Sequence, residues 1–343
     1  MNLCGRRLAI GSVVLLVFGI FSFSGCKAVH QVHSGVQMDH SHAASETMSN
    51  ADPANQEWAR QRLAKSSRHQ EWIKIKYKPS GGGAEREVSA FVVYPEVKTK
   101  ATAVIVIHEI FGMSDWVRSL TDQLAEAGYV AIAPDLLSGR GPHGGGTSDI
   151  AAVGPDAIGT AIGDLPPDQI TGDLNAVADY VSKLPAANGK IVTAGFCWGG
   201  GQTFRYATNN SALKAAFVFY GSPPLTGQPP ALPVDSAALG KIVAPVYGFY
   251  AGNDARINAT LPATIEAMKD SNKKYEPLNY DDAGHGFMRA GDAPEPAAPV
   301  AKGEAEADKL ASEKYQKDLI AYKSNKKARD EAWVRWKAIL AKI

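Results

Sequence analysis

The sequence of 343 residues has no excess of charge of either sign. Lysine and arginine total 36 and aspartate and glutamate total 35, so the net charge at pH 7 is +1. No segment gathers basic side chains into the patch that is needed to neutralise nucleic-acid phosphates. We therefore expect no nucleic-acid partner. A hydrophobic content of 45% is ordinary for a globular protein and excludes disorder of the whole chain.

Long apolar runs are scarce, and the run near the N-terminus, Leu8–Phe23, is too short for an ordinary membrane span. It follows two arginines and ends in small residues, an order typical of an export signal. Its end, Phe23-Ser24-Gly25-Cys26, resembles the bacterial lipobox, in which the chain is cut before a cysteine that then carries lipid. We predict a lipoprotein-type signal peptide over residues 1–25, lipidation of Cys26 and a place on the periplasmic side of the bacterial cell envelope. Plain cleavage is the alternative to lipidation.

Cysteine is also scarce, with three residues in the whole sequence. Cleavage before Cys26 removes Cys4, and acylation of Cys26 leaves Cys197 without an internal disulfide partner. A free thiol is a liability in an oxidising compartment. Cys197 is therefore a candidate for chemistry, and a buried structural cysteine is the alternative.

Residues 26–68 are polar and show no sustained periodicity, which predicts a flexible tether between the membrane and the domain. Four histidines lie in this segment, His30, His33, His40 and His42. Histidines can bind a transition metal, but nothing else in the segment fixes a coordination geometry. We favour a solvated linker and expect no metal site.

Residues 69–343 are predicted to form one α/β domain, with a mainly parallel central sheet and helices on both faces. An antiparallel hairpin opens it, formed by Glu71–Tyr77 and Glu87–Tyr94. Apolar strands then alternate with segments of helical periodicity. The predicted strands are Thr102–Ile107, Tyr129–Ala133, Lys190–Ala194, Ala215–Tyr220, Pro245–Tyr250 and Tyr275–Tyr280, and the predicted helices include Trp116–Ala127, Leu174–Leu184, one from Trp198, and Asn258–Lys269.

Two other segments have less regular patterns. Gly139–Asp164 is rich in glycine and proline and too long for a simple connection, which predicts a loop over the site. The later half of Ala290–Lys327 predicts a charged surface helix, and Ala332–Ile343 predicts a C-terminal helix that packs on the sheet. We expect this tail to act as scaffold.

The predicted strand before Cys197 runs into Gly195-Phe196-Cys197-Trp198-Gly199-Gly200. This is the strand-to-helix nucleophile elbow G-x-S-x-G with cysteine in place of serine. The nucleophile of such an elbow has a strained backbone, and side chains at the flanking glycines would collide with the neighbouring strand and helix. The N-terminus of the following helix favours the thiolate form of a cysteine.

Two further side chains follow predicted strands in the chain order of an α/β-hydrolase, which is nucleophile, acid, base. Asp254 follows the strand Pro245–Tyr250, and His285 follows the strand Tyr275–Tyr280. Asp254 would orient the His285 imidazole, which would take the proton from Cys197 and later deliver it to the leaving group. Turn aspartates and turn histidines are common singly, but their joint placement favours a Cys-His-Asp triad.

From about His69 to the C-terminus, excluding the segment near Ala290–Lys327, the sequence resembles the dienelactone hydrolase family. The matching segments are Val106–Gly112, Ala133–Leu136, Gly195–Gly200, Gly252–Asp254 and His285–Arg289. The resemblance implies an α/β-hydrolase fold and a hydrolase that uses a cysteine nucleophile and needs no metal or cofactor.

The resemblance also implies roles for residues around the nucleophile. Glu109 contacts the resting thiol and helps to switch it to thiolate when substrate arrives, and the backbone N–H groups of Ile110 and Trp198 form the oxyanion hole. Family members that act on dienelactone bind its carboxylate with arginines. Arg289 fits one of these places and Arg140 fits the other with an offset of one residue, while a surface acid and surface arginines are the alternatives.

We therefore expect an exported hydrolase that opens a lactone or carboxylic ester, of the carboxymethylenebutenolide kind, through a thioester on Cys197. A broad-specificity carboxylesterase on the same fold is one alternative, and a lipid-anchored binding protein without turnover is another. The intact set of Cys197, Asp254 and His285 argues against the second. We expect a monomer with a small-molecule substrate that contacts the membrane through the lipid on Cys26.

Overall fold

The computed structural model describes residues 56–227 and 232–343. The predicted signal peptide, Cys26, the four N-terminal histidines and most of the predicted tether lie outside these residues. Within the described ranges no helix combines the length and the apolar character needed to cross a membrane.

The described residues contain a sheet of eight strands. They are β1 (Gln70–Tyr77), β2 (Arg86–Val93), β3 (Ala101–Ile107), β4 (Val130–Pro134), β5 (Ala187–Phe196), β6 (Ala215–Phe219), β7 (Val246–Ala251) and β8 (Tyr275–Tyr280). Their order is β1-β2-β4-β3-β5-β6-β7-β8. Strand β2 is antiparallel to both of its neighbours, and all other adjacent pairs are parallel. The predicted hairpin and each predicted strand are confirmed.

Helices cover both faces of this sheet. They are α1 (Glu57–Lys65), α2 (Asp115–Glu126), α3 (Thr147–Ala151), α4 (Ala157–Gly163), α5 (Pro167–Ser182), α6 (Trp198–Asn209), α7 (Ser236–Leu239), α8 (Ala255–Asn258), α9 (Leu261–Asp270) and α10 (Ala305–Leu340), with single 3₁₀ turns at Pro142–Gly144 and Phe287–Ala290. Apolar residues of α5, α6 and α9 share one core, and those of α2 and α10 share the other. The predicted α/β-hydrolase architecture is confirmed.

Strand β3 illustrates why the central strands are apolar throughout. Ile105 and Ile107 face the core that α5 covers, whereas Val104 and Val106 face the core that α2 covers. Successive side chains of a strand point to opposite faces, so a strand between two helical layers buries every residue. All seven residues of β3 are indeed buried.

The C-terminal end of the predicted tether is wrong, because residues 57–65 form α1. Ala59 of this helix is fully buried. Just beyond α1, the Arg68 guanidinium donates to both carboxylate oxygens of Asp122 at 2.9 and 2.6 Å, and the Ser66 hydroxyl donates to the same carboxylate at 2.6 Å. Asp122 is itself fully buried on α2, so its charge requires partners, and these partners fix the segment to the domain.

Three other expectations change in detail. The helix predicted over Asn258–Lys269 is α9 and begins at Leu261, because Asn258 ends the separate short helix α8. Pro262 lies in the first turn of α9, where its missing N–H needs no partner. The predicted loop Gly139–Asp164 contains α3 and α4. The two helices predicted in the tail form the single 36-residue helix α10.

The packing of the C-terminal helix is confirmed at Trp336. This side chain is fully buried, and its ring lies 4.8 Å from that of Phe219 and 6.0 Å from that of Phe196, measured between centroids. Phe196 directly precedes Cys197. The C-terminal end of α10 therefore packs beneath the elbow.

Candidate active site

Cys197 lies at the sharp turn between β5 and α6. Its backbone angles are φ 55° and ψ −117°, and its side chain is free and partly exposed. Such a conformation costs a non-glycine residue roughly 1–3 kcal/mol. The Cys197 amide donates to the carbonyl oxygen of Phe219 on β6 at 3.0 Å, which ties the turn to the neighbouring strand. The predicted strained elbow is confirmed.

The glycines of the elbow are required by close backbone contacts. A Cβ atom on Gly199 would collide with the carbonyl oxygens of Ile107 and His108 at the end of β3. A Cβ atom on Gly195 would collide with the carbonyl oxygen of Gly199. The first turn of α6 can therefore approach the end of β3 only if these positions carry no side chain.

His285 and Asp254 meet at the carboxyl ends of β8 and β7. The His285 Nδ1 and Asp254 Oδ2 atoms are 2.5 Å apart, and Asp254 also accepts a hydrogen bond from the Ile257 amide at 3.2 Å as the N-cap of α8. The other ring nitrogen of His285, Nε2, is buried and has no hydrogen-bond partner among the described residues. The carboxylate thus fixes the ring through one nitrogen and leaves the second for another group.

Asp254 and His285 each shift the pKa of the other in the direction that favours its charged form. Burial, the largest single influence on His285, lowers its pKa, but the Cys197 sulfur and the Asp254 carboxylate together raise that pKa to about 10. Burial is the largest single influence on Asp254 and acts to raise its pKa, but the hydrogen bond with His285, the His285 charge and the Ile257 amide together lower that pKa. The three predicted triad residues therefore lie within electrostatic reach of one another.

Glu109 and Arg289 form a buried ion pair. The Arg289 Nη1 atom is 2.8 Å from each carboxylate oxygen of Glu109, and the two residues are 1% and 5% exposed. Burial acts to lower the pKa of Arg289, but the Glu109 carboxylate raises it.

This ion pair bears on two interpretations of the sequence, and both stay predictions. Glu109 was predicted to contact the resting thiol, and Arg289 was predicted to bind a substrate carboxylate. In the structure each is the partner of the other, because two buried opposite charges are far more stable paired than separate.

The second predicted clamp residue, Arg140, is not brought to this site. Its side chain is exposed, and its Nη2 atom lies 3.4 Å from the carbonyl oxygen of Asp164. No contact of its side chain within the described residues reaches the predicted triad. An exposed guanidinium is well solvated, so nothing drives it into the site.

The two predicted oxyanion donors flank the elbow. Ile110 is the third residue after β3, and Trp198 is the first residue of α6. Within residues 56–227 and 232–343, neither backbone N–H donates a hydrogen bond. These amides are therefore free to receive a developing negative charge, although the geometry with a bound substrate stays a prediction.

Tyr220 is a site residue that the sequence does not reveal. It follows β6 with φ 39°, and its fully buried ring packs edge-on against that of His285 at 5.0 Å. Its hydroxyl has no hydrogen-bond partner among the described residues. Burial, then the Glu109 charge, raises the pKa of Tyr220 well above its ordinary value, so the group stays a neutral phenol. The positive φ after a strand is a structural signal that an amino-acid pattern does not carry.

Helix α10 supports the histidine loop from outside the sheet. The Asn325 Oδ1 atom accepts a hydrogen bond from the Gly284 amide at 2.8 Å, immediately before His285. Asn325 is 2% exposed. The tail is therefore scaffold, as predicted, but it also holds one of the predicted catalytic loops.

A separate groove of about 1160 Å³ lies between the β1–β2 hairpin, the segment 135–149 and the start of α5. None of the predicted catalytic, oxyanion or substrate-binding residues lines it. In the described part of the chain, no cluster of three or more His, Cys, Asp or Glu side chains has the arrangement of a metal site.

Comparison with known proteins places this geometry in a family. The profile of the dienelactone hydrolase family matches residues 88–343. A provisionally named carboxymethylenebutenolidase of Salmonella typhi is 35% identical over 207 residues, which are 59% of this chain and 73% of that protein. One from Escherichia coli K12 is 37% identical over 189 residues, 54% of this chain and 66% of that protein.

A solved structure agrees with this result. A provisionally named dienelactone hydrolase of Klebsiella pneumoniae superposes with a TM-score of 0.53 and 27% identity, covering 74% of this chain and 98% of that one. The family profile spans the elbow, the acid turn and the histidine loop alike. This chain, a hydrolase, thus belongs to the dienelactone hydrolase family.

Proposed function

We propose that this protein cleaves a lactone or a carboxylic ester with Cys197 as nucleophile, His285 as general base and acid, and Asp254 as the residue that orients the imidazole. One observation carries the proposal. His285 is fixed by Asp254 through Nδ1, and its buried Nε2 is left without a partner beside a cysteine on a strained elbow. This is the arrangement that activates a nucleophile by an adjacent base.

The reaction follows from these positions. The Cys197 thiolate attacks the substrate carbonyl carbon, and the Ile110 and Trp198 amides stabilise the resulting oxyanion. His285 then protonates the departing alkoxide oxygen as the carbon–oxygen bond breaks, which leaves a thioester. His285 next removes a proton from a water molecule, which attacks the thioester and releases the carboxylic acid and the thiolate.

The buried ion pair bears on the choice of substrate. Relatives carry the name carboxymethylenebutenolidase, which implies a lactone with a carboxylate. Arg289 already binds Glu109 through Nη1, so an anionic substrate would have to share the guanidinium with that carboxylate or displace it. This favours a second candidate, a carboxylesterase that accepts neutral esters without any exchange of partners.

A substrate panel tests the proposal. Purified protein lacking residues 1–26 should hydrolyse at least one lactone or ester, and kcat/KM for a carboxylate-bearing lactone against a neutral ester decides between the two candidates. Cys197→Ala should lower kcat by roughly 10³-fold or more, and Cys197→Ser should leave a small residual activity.

Matched acid variants test the role of Asp254. Asp254→Asn should lower kcat strongly, because the imidazole loses its orienting carboxylate. Asp282→Asn is the control, since Asp282 is an exposed acid in the turn just before His285. Full activity of Cys197→Ala, or equal activity of the two aspartate variants, would contradict the triad. Absence of both turnover and iodoacetamide reactivity would favour the binding protein.

We also propose export and lipid anchoring at Cys26, for which Leu8–Phe23 and the lipobox-like sequence after it are the support. Mass spectrometry of the N-terminus from native membranes should find a diacylated Cys26. Cys26→Ala should release the protein from the membrane fraction. An uncut Met1 or an unmodified start downstream of Cys26 would contradict the proposal.

A further inference from the structure

His108 is a buried histidine that the reaction does not use directly. It follows β3, precedes Glu109 and is fully buried. Both ring nitrogens have partners. Nδ1 lies 2.8 Å from the Glu109 carbonyl oxygen, and Nε2 accepts a hydrogen bond from the Leu136 amide at 3.3 Å.

These partners fix the tautomer of His108. A backbone N–H can only donate, so Nε2 must be the unprotonated nitrogen. Nδ1 therefore carries the proton and donates it to the Glu109 carbonyl oxygen, which is an acceptor. Burial, its largest influence, lowers the pKa of His108 and keeps the ring neutral, although the Asp135 charge opposes this.

The bond to Glu109 acts on the peptide group that contains the Ile110 N–H. In a trans peptide the C=O and N–H groups point in opposite directions, so holding the carbonyl oxygen also fixes the direction of the N–H. The same carbonyl accepts a second hydrogen bond from the Gly112 amide at 3.1 Å. Two donors on one carbonyl polarise the peptide and make its N–H a stronger donor.

The face of the same ring contacts the residue that carries the other oxyanion donor. The rings of His108 and Trp198 are stacked, with centroids 5.4 Å apart and planes inclined by 18°. The His108 carbonyl also lies against Gly199, where a side chain would collide with it. One side chain therefore supports the β3 turn through hydrogen bonds and the first turn of α6 through packing.

We propose that His108 is the positioning residue of the oxyanion hole, holding the Ile110 and Trp198 amides in the orientation that receives the charge of the tetrahedral intermediate. This inference rests on the proposed function. It assigns to His108 no proton transfer and no contact with substrate.

A matched pair of variants tests this role. His108→Gln retains one N–H donor and one carbonyl acceptor, whereas His108→Met has a similar size and neither group. We expect His108→Met to lower kcat by about 10-fold to 100-fold with little change in KM, because misaligned donors lose transition-state stabilisation. His108→Gln should recover most of that loss. His108→Asn, which is polar but too short to span both partners, should resemble His108→Met and serves as the second variant if methionine prevents folding.

Alkylation of Cys197 by iodoacetamide separates positioning from general damage. This displacement needs the thiolate but develops no oxyanion, so its rate should stay within about twofold of wild type in each folded variant. Equal turnover of wild type and His108→Met would overturn the assignment, and so would a parallel loss of alkylation and turnover. If the wild-type protein shows no turnover that depends on Cys197, the proposed function itself is wrong, which is a distinct result.

Discussion

Two arginine–carboxylate pairs in this molecule are built differently, a largely buried one beneath the β1–β2 hairpin and a fully buried one at the Cys197 elbow. In the hairpin pair, Arg86 donates from Nε and Nη2 to the two carboxylate oxygens of Asp173, at 2.6 and 2.9 Å. Arg86 also donates to the Ser138 carbonyl, and the Tyr77 hydroxyl donates to Asp173 at 2.7 Å. Each charged group of this pair has several well-placed partners.

The pair at the elbow is less completely satisfied. A single nitrogen of Arg289 serves both oxygens of Glu109, and the Arg289 Nε atom is buried without a hydrogen-bond partner among the described residues. The nearby Tyr220 hydroxyl lacks a partner there too. Buried polar atoms without partners cost roughly 1–3 kcal/mol each.

We interpret the difference as that between a pair that only holds the fold together and a pair that can exchange partners. A saturated pair loses several hydrogen bonds when either member moves, so it resists change. A pair with unused donors loses less when one member exchanges its partner. Unmet hydrogen-bonding capacity in native proteins often marks such functional positions. Arg289 lies within electrostatic reach of the Cys197 sulfur, so an exchange of its partner would act on the predicted nucleophile.

The largest expected effect comes from breaking the hairpin pair. Asp173→Asn leaves the Arg86 charge buried without a counter-ion and should lower the free energy of unfolding by about 3–5 kcal/mol. Turnover per folded molecule should not change. Urea denaturation and active-site titration measure the two quantities. Tyr77→Phe, which removes one hydrogen bond to the same carboxylate, should cost about 1 kcal/mol and is the control.

The corresponding amide variant at the elbow should behave differently. Glu109→Gln should lower the free energy of unfolding by an amount similar to Asp173→Asn, because the Arg289 charge is then buried without a counter-ion. It should also lower turnover and move the pH curve of Cys197 alkylation to lower pH, since the Arg289 charge is then unneutralised near the sulfur. Equal turnover per folded molecule in the two variants would contradict the comparison. Wild-type turnover with an unchanged alkylation curve would reduce Glu109 to a structural acid.

The sequence predicts the parts of the site that depend on local patterns. Continuous apolar runs identify the buried strands, and the glycines around Cys197 identify the elbow, because a collision with neighbouring backbone excludes any side chain there. Asp254 and His285 are found because each follows a predicted strand, and parallel strands bring their carboxyl ends to one edge.

The ion pair between Glu109 and Arg289 could not be predicted from local sequence patterns. Glu109 and Arg289 are 180 residues apart in sequence, and each alone matches a known role. Which role each takes depends on distances between loops that no periodicity encodes. Helix α1 was missed for a similar reason, since only Ala59 within it is buried. Ion pairs to distant residues hold it, and Arg62 with Asp292 is one of these.

Removing the Cys197 sulfur should lower the pKa of His285. In Cys197→Ala the sulfur no longer opposes the effect of burial, so this pKa should fall below its value of about 10. A histidine whose pKa is raised by folding stabilises the folded protein. This contribution is complete at pH values below the unfolded pKa of about 6.5, and it is lost as the pH rises through about 10. Titration by NMR of the histidine ring measures the shift. Cys197→Ser should lower the pKa of His285 by the same amount if the charge of the sulfur is the cause. An unchanged His285 pKa in both variants would contradict this role of the sulfur.

The smallest expected effect concerns the support of the histidine loop by α10. Asn325→Ala removes the acceptor of the Gly284 N–H, and a lost neutral hydrogen bond costs about 1 kcal/mol. The freed amide also allows the loop to shift, so the contact between His285 and Asp254 should be held less firmly and kcat should fall a few-fold. Asn325→Asp keeps an acceptor oxygen in the same place and should retain most of the activity. If alanine and aspartate lower kcat equally, the hydrogen bond does not position the loop, and α10 contributes to this site through the packing of Trp336 alone.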